Sequence, residues 1–185
     1  MRALVQNLID IEGGGSLDMV QVATPEELEQ YYDDFLALRE EGLVRYFGVA
    51  RYAKQFYPAM MKAMEKGIVD FVQFNYSIME PEAADDILPL ALETGTAVIT
   101  NRPFISGNYF NIVRGQELPD WASEFDCSSW AQFSLKYILA HPAVTCVISG
   151  TSNPKHVIDN LGAGYGRLPD PDQTERMEAV IRGLM

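Results

Sequence analysis

Gly150-Thr151-Ser152-Asn153 runs directly into Pro154, gathering two hydroxyls and a carboxamide where a helix would begin. The first turn of a helix presents N–H groups and the positive end of its dipole, which suits an anion such as a phosphate. The same pattern also serves as a plain helix start, because Asn caps well and Pro fits the first helical position. His156 follows within a turn and Asn160 one turn later, on what would be the same helix. A second polar residue, Gln73, interrupts the apolar run Val69–Asn75. Its amide either faces a ligand or is satisfied by neighbouring backbone.

Acid–base chemistry asks for a carboxylate, imidazole, amine or perturbed phenol within reach of the reacting atoms. The ends of the apolar runs offer Ala23-Thr24, Ala50-Arg51-Tyr52, Asn75-Tyr76-Ser77, Asn101-Arg102 and Gly150-Thr151-Ser152. None is a carboxylate, histidine or lysine. Tyr52 and Tyr76 read as structural, since an unaided phenol titrates near ~10. Cys127 stands just before a helix, where a thiol pKa can fall, but no His lies close to it in sequence. Cys146 sits inside an apolar run and is expected to be an inert core thiol. His141, ahead of Pro142, reads as a helix cap; Met60, Met61 and Met64 read as helix packing; Trp121 and Trp130 read as cover for the core. No catalytic residue and no metal site is assigned.

The chain has 185 residues with 14 Lys+Arg against 26 Asp+Glu, a formal charge of −12. So acidic a body repels nucleic-acid phosphates and anionic membranes, and neither is expected as a partner. With 48% hydrophobic and 22% charged residues the composition is that of a folded domain rather than a disordered chain. Two cysteines make no disulfide framework, so a reducing cytoplasm is the expected compartment.

Five β-branched runs must position these residues: Asp18–Ala23, Val44–Ala50, Val69–Asn75, Ala97–Asn101 and Val144–Gly150. They recur at roughly 25–28 residues with one final gap of about 47, the length of a strand, a helix and two tight loops. Nearly continuous apolar runs suit parallel strands covered on both faces. Thr24-Pro25-Glu26-Glu27 predicts a capping box ahead of a helix carrying Leu28, Tyr31, Phe35 and Leu38 and closed at Gly42. Further helices are predicted over Lys54–Glu65, over Glu82–Glu93 with a kink or late start at Pro89, and from Ser129 to Ala140 with Gln132 at capping-box spacing. Two more open at Asn153-Pro154 and Asp170-Pro171, the last reaching about Leu184. The stretch Phe104–Phe125 reads as a long loop. The fold class is α/β: a partial (β/α)8 barrel of about five parallel βα units plus a C-terminal helix, since a complete barrel takes ~250 residues. Residues 1–16 are expected to be a remnant helix with a flexible lead-in at Gly13-Gly14-Gly15, and residues 17–185 the barrel part.

From about Leu17 to Met177 the chain resembles the aldo-keto reductases. Leu17-Asp18-Met19-Val20-Gln21-Val22 is similar to that family's fourth barrel strand, and the segment Leu38–Val49 (LREEGLVRYFGV) to its passage into strand 5. Val69–Ser77 (VDFVQFNYS) resembles strand 6 and Ala97–Phe104 (AVITNRPF) strand 7. Ser129–Ile138, Gly150–Pro154 and Asp159-Asn160-Leu161-Gly162-Ala163 continue through the last unit.

The resemblance implies a barrel that binds NADP(H) and moves a hydride between nicotinamide and a carbonyl carbon, with a Tyr as acid, tuned by Asp and Lys, and a His orienting the carbonyl. Asp, Tyr and Lys come from the family's first three units, which this chain is expected to lack. Ala23 stands where the His belongs. Gln73 matches the glutamine that meets the nicotinamide carboxamide, while Ala50, Arg51 and Asn101 replace the residues that usually flank the ring. Gly150, Thr151, Ser152 and Asn153 match the phosphate loop, His156 or Lys155 the cation for the 2′-phosphate, and Asn160 the asparagine that meets adenine. The expected function is thus an NADPH-dependent oxidoreductase by resemblance, inactive alone, with weak or vestigial NADP(H) binding. The alternative is a non-catalytic nucleotide-binding or interaction module. Exposed strand edges predict self-association or a complementary chain.

Overall fold

The computed structural model describes residues 1–185. Strands β1 (Leu17–Val22), β2 (Val44–Ala50), β3 (Phe71–Asn75), β4 (Ala97–Asn101) and β5 (Val144–Val147) form one parallel sheet in chain order. Helices alternate with them, so the fold is the expected partial (β/α)8 barrel of five units. Contacts group the chain into two compact units, Met1–Phe74 with Leu90–Val98, and Asn75–Pro89 with Ile99–Met185.

In the first unit, β1 and β2 pair from Leu17↔Val44 to Val22↔Val49, and β2 pairs with β3 from Gly48↔Phe71 to Ala50↔Gln73. Only glycine fits at position 48, because a Cβ there would stand 2.2 Å from the Phe71 carbonyl oxygen. Helix α1 (Arg2–Ile11) buries Val5 and Ile9, and Gly13, Gly14 and Gly15 then turn the chain at φ of 90°, 97° and 95°, a region open to glycine without strain. The predicted capping box is present: Glu27 N donates to Thr24 Oγ1 at 3.1 Å and Thr24 N to the Glu27 carboxylate at 3.3 Å. The helix it opens does not run through. It stops at Tyr31 and divides into α2 (Pro25–Gln30) and α3 (Tyr32–Glu40). The restart sets Tyr32 edge-on to the Phe47 ring, with centroids 5.9 Å apart, and stacks Phe35 on it at 5.1 Å. Helix α4 (Tyr57–Glu65) follows a 3-10 turn over Lys54–Phe56 and buries Met60 and Met64, as predicted for packing residues.

The carboxylates at strand starts serve structure. Asp18 pairs with Arg45 at 3.3 Å, and Asp70 pairs with Arg39 while accepting Phe47 N–H at 2.9 Å. The predicted helix over Glu82–Glu93 becomes a 3-10 turn, Glu82–Ala84, and then α5 (Ile87–Thr94). The late start places Pro89 in the first turn of α5, where no N–H is needed.

The second unit is built around α7 (Trp130–Ala140), in which every residue from Ala131 to Ile138 is buried. Its caps are as expected, Ser129 accepting Gln132 N–H at 3.1 Å and His141 closing the far end. The Gln132 side chain, however, does not complete a capping box; it is used elsewhere. The stretch Phe104–Phe125 is a loop only in part: it folds into a 3-10 turn, helix α6 (Asn108–Ile112) and a second 3-10 turn over Asp120–Phe125, because Tyr109 and Phe125 bury their rings. Helix α8 (Pro154–Gly162) starts at an Asn153 cap, and α9 (Pro171–Leu184) at a capping box of Asp170 and Gln173.

One expectation about cysteine is corrected. Cys146 is exposed rather than buried, because β5 is the last strand of the sheet and only lightly covered. Cys127, which the sequence did not mark as a nucleophile, is buried, and desolvation pushes its thiol up to about 11. The expectation of strands buried on both faces holds for β3 and fails for β1 and β5, the two ends of the strand order.

Candidate functional site

A cavity of about 810 Å3 lies within the second unit at the C-terminal end of β4 and the start of α8. Its polar wall carries Arg102, Gly150, Thr151, His156, Asp159 and Asn160; Phe104, Phe110, Trp130 and Ile148 supply apolar surface. The chain leaving β4 is bent sharply to make this wall. Arg102, Ile105 and Ser106 all hold positive φ (53°, 47° and 53°), conformations that cost energy in non-glycine residues and cluster at functional sites. Buried tethers hold the bend: Ser134 Oγ donates to the Pro103 carbonyl at 2.8 Å, and Tyr109 OH to the Trp130 carbonyl at 3.0 Å.

The start of α8 is itself an ordered cluster. Thr151 Oγ1 accepts Asn153 N–H at 3.2 Å, and Asn153 Oδ1 accepts Lys155 N–H at 3.0 Å. The exposed His156 ring lies between the two, Nδ1 3.4 Å from Thr151 Oγ1 and Nε2 3.2 Å from Asn153 Nδ2. Pro154 has no N–H and Lys155 N–H is already capped, so an anion here would meet hydroxyls, the imidazole and the helix dipole more than bare amides. That corrects the expectation of free N–H groups. Asn160 reaches the Ser149 carbonyl, with Nδ2 at 3.5 Å.

Of the residues singled out in the sequence, Gly150, Thr151, His156 and Asn160 line one cavity. Ser152 and Asn153 belong to the same turn but not to the lining. Gln73 is half-buried on β3 in the other compact unit. Arg102, Asp159 and the aromatic wall were not legible as site residues; the one signal was that Arg102-Pro103 directly follows an apolar run.

Burial perturbs several titratable groups of the second unit. Burial pushes the Tyr76 phenol up to about 12, and its ring packs against Tyr137 and His141. Burial also raises the phenols of Tyr109 and Tyr137, and lowers His141. Lys136 is fully buried, its ammonium committed to the carbonyls of Tyr165 and Arg167. No cluster of His, Cys, Asp and Glu has the makings of a metal site.

The family model for the aldo/keto reductases matches residues 11–182. The chain belongs to the aldo/keto reductase family. A curated relative, the uncharacterized oxidoreductase YqkF of Bacillus subtilis (strain 168), is 21% identical over 175 residues, covering 83% of this chain and 56% of its own. Among solved structures, the aldo-keto reductase AKR11C1 from Bacillus halodurans in its holo form superposes with a TM-score of 0.75 at 18% identity, over 96% of this chain and 65% of that one. An aldo/keto reductase from Klebsiella pneumoniae, solved with NADP and acetate, gives a TM-score of 0.75 at 17% identity over 98% of this chain and 64% of its own. The glycerol dehydrogenase AKR11B4 from Gluconobacter oxydans gives 0.74 at 14% identity over 100% and 64%. At such identities the structures establish the fold. The chain thus spans under two thirds of the length of these relatives.

Proposed function

We propose that this chain is the nucleotide-holding C-terminal part of an aldo/keto-reductase barrel, binds NADP(H) weakly through the cavity at the start of α8, and does not reduce carbonyls by itself. The observation that carries the proposal is the convergence of Arg102, Thr151, His156 and Asn160 on one cavity at a helix N-terminus. The residues fit the adenosine end of the dinucleotide. A Cβ on Gly150 would meet no protein atom within 4 Å, so the wall leaves open space there. Thr151 and His156 offer donors to phosphate oxygens, Arg102 a positive charge, and the Asn160 amide both a donor and an acceptor to a base.

NADPH, when bound, would supply a hydride. What the chain's own residues do is hold and orient the nucleotide, with Gly150, Thr151, Ser152, Asn153, His156 and Asn160 proposed for its adenosine end. Ala23 has no proton to give. Tyr76, raised to about 12 and packed among rings, is poorly matched to proton transfer near neutral pH. These two facts support the absence of the family's catalytic tetrad. Both cysteines are free, which supports a reducing, cytoplasmic setting.

A specific observation also favours an interaction role on the same scaffold. No residue of α8 is buried, and Val157, Ile158 and Leu161 expose 42%, 73% and 62% of their surface. Apolar surface of that kind supports self-association or a complementary chain.

Titration with NADP+ against tryptophan fluorescence tests the binding reading, because Trp130 lines the cavity. A saturable change is expected, and an unchanged signal together with no calorimetric heat would refute it. Steady-state assay with NADPH and an aldehyde is expected to show no turnover.

A further inference from the structure

The amide of Gln132 ties the approach to α7 with its oxygen and joins α7 to α8 with its nitrogen. Its Oε1 accepts from Ser128 N and Ser128 Oγ, both at 3.0 Å. Its Nε2 donates to the Asp159 carbonyl at 3.2 Å and to Asp159 Oδ1 at 2.8 Å. Ser129 Oγ donates to the same Oδ1 at 2.9 Å, so the cap of α7 and the amide one turn later grip one carboxylate of α8. Gln132 is 8% exposed, and the two helices approach so closely that a Cβ on Gly162 would stand 2.6 Å from its Nε2.

This junction carries weight because α8 has little else to hold it. None of its nine residues is buried. A helix without a buried apolar stripe is located by its polar ties, and satisfied buried polar networks specify one arrangement strongly. Asp159 and Asn160 both line the cavity, and the Thr151–His156 cluster lies at the other end of the same short helix.

We infer that Gln132 is a positioning residue for the nucleotide cradle: acting through Asp159, it sets where α8 lies against α7 and so aims Asn160 and the Thr151–His156 cluster at the cavity. The inference rests on the reading of that cavity as a nucleotide site. It assigns the work to a buried side chain that touches no nucleotide itself. Gly162 is small for the same reason, since any side chain would displace the amide.

Two variants of the full chain test this. Gln132→Met keeps length and apolar packing but loses every tie. Gln132→Glu keeps shape but sets a carboxylate against the Asp159 carboxylate; neighbouring carboxylates share a proton at a raised pKa, so acid restores a donor. Facing this position is Asp159 on α8; the Cys127 thiol, which interacts electrostatically with Asp159, is raised to about 11 by burial and stays neutral below pH 8. Hydrogen exchange of the α8 amides and NADP+ affinity are measured at pH 7.5 and 5.5, with the wild type at each pH as reference and circular dichroism as the check on folding. Expected is a roughly tenfold loss of α8 protection and of affinity in Gln132→Met at both pH values, and the same loss in Gln132→Glu at pH 7.5 that recovers at pH 5.5. Wild-type protection and affinity in both variants would overturn the inference and leave the nucleotide reading standing. Should the wild type itself bind no NADP+, that reading fails; loosened α8 amides in the variants would still support the junction, and unchanged amides would overturn it too.

Discussion

The ammonium of Lys136, without exposed surface in the middle of α7, donates to the main-chain carbonyl of Tyr165 at 2.7 Å, and a second bond reaches the Arg167 carbonyl at 2.8 Å. These bonds hold the link between α8 and α9, which carries few apolar anchors; Tyr165 is 75% exposed. Lys136→Met removes a buried charge but leaves two carbonyls without their donor. Leaving buried acceptors unsatisfied costs on the order of 1–3 kcal/mol. A urea denaturation curve is expected to shift to a lower midpoint by about that free energy. An unchanged midpoint would show that water replaces the ammonium at no cost.

Asp126 secures the same link from its other side, accepting Arg167 N–H at 2.9 Å and pairing with the guanidinium at 3.1 Å. The hydrogen bonds from Arg167 hold its carboxyl down at about 2, against an ordinary value of 3.8. A depressed folded-state pKa means the folded chain holds its charge longer than the unfolded one. The pair's contribution is therefore complete above about pH 4 and disappears as pH falls through about 2. Thermal melts of Asp126→Asn should differ from wild type at pH 5 and converge with it near pH 2. Parallel curves at every pH would contradict the assignment.

Asn160→Ala and Thr151→Ala each remove one polar contact from the cavity wall. If the cavity holds a dinucleotide, each is expected to weaken NADP+ roughly 3- to 10-fold, as for a single neutral hydrogen bond. Calorimetric titration reads the change, with Tyr52→Ala, outside the cavity lining and 62% exposed, as the unaffected control.

Ala23→His tests the chemical half of the proposal. On the proposed reading it places an imidazole after β1 but supplies no acid. Aldehyde-dependent NADPH oxidation by this variant is expected to stay at the level of the buffer. Turnover that survives repurification would mean that a proton donor exists elsewhere in the chain.

Ile158→Glu combined with Leu161→Glu places charge on the bare face of α8. The wild type is expected to self-associate in light scattering, and the double variant to lower the apparent mass. A monodisperse wild-type monomer would remove the case for association through that face.

Much of this protein was legible in its sequence because the relevant physics is local. Thr24, Asn153 and Asp170 cap their helices within a turn, Pro89 delays α5, and the five apolar runs become five strands in order. The chemistry of the strand ends, poor in groups that trade protons, is likewise a matter of which residues stand there. Tertiary packing decided the rest. Cys146 left its expected core setting because burial depends on what covers a strand, and nothing within a few residues records that. The capping box expected at Ser129 does not close because the Gln132 oxygen accepts from Ser128 N and Oγ instead, while its nitrogen reaches Asp159, 27 positions along the chain. Hydrogen bonds between α7 and α8, like the bend that turns Arg102 into the cavity, join residues whose proximity exists only once the backbone has closed around them.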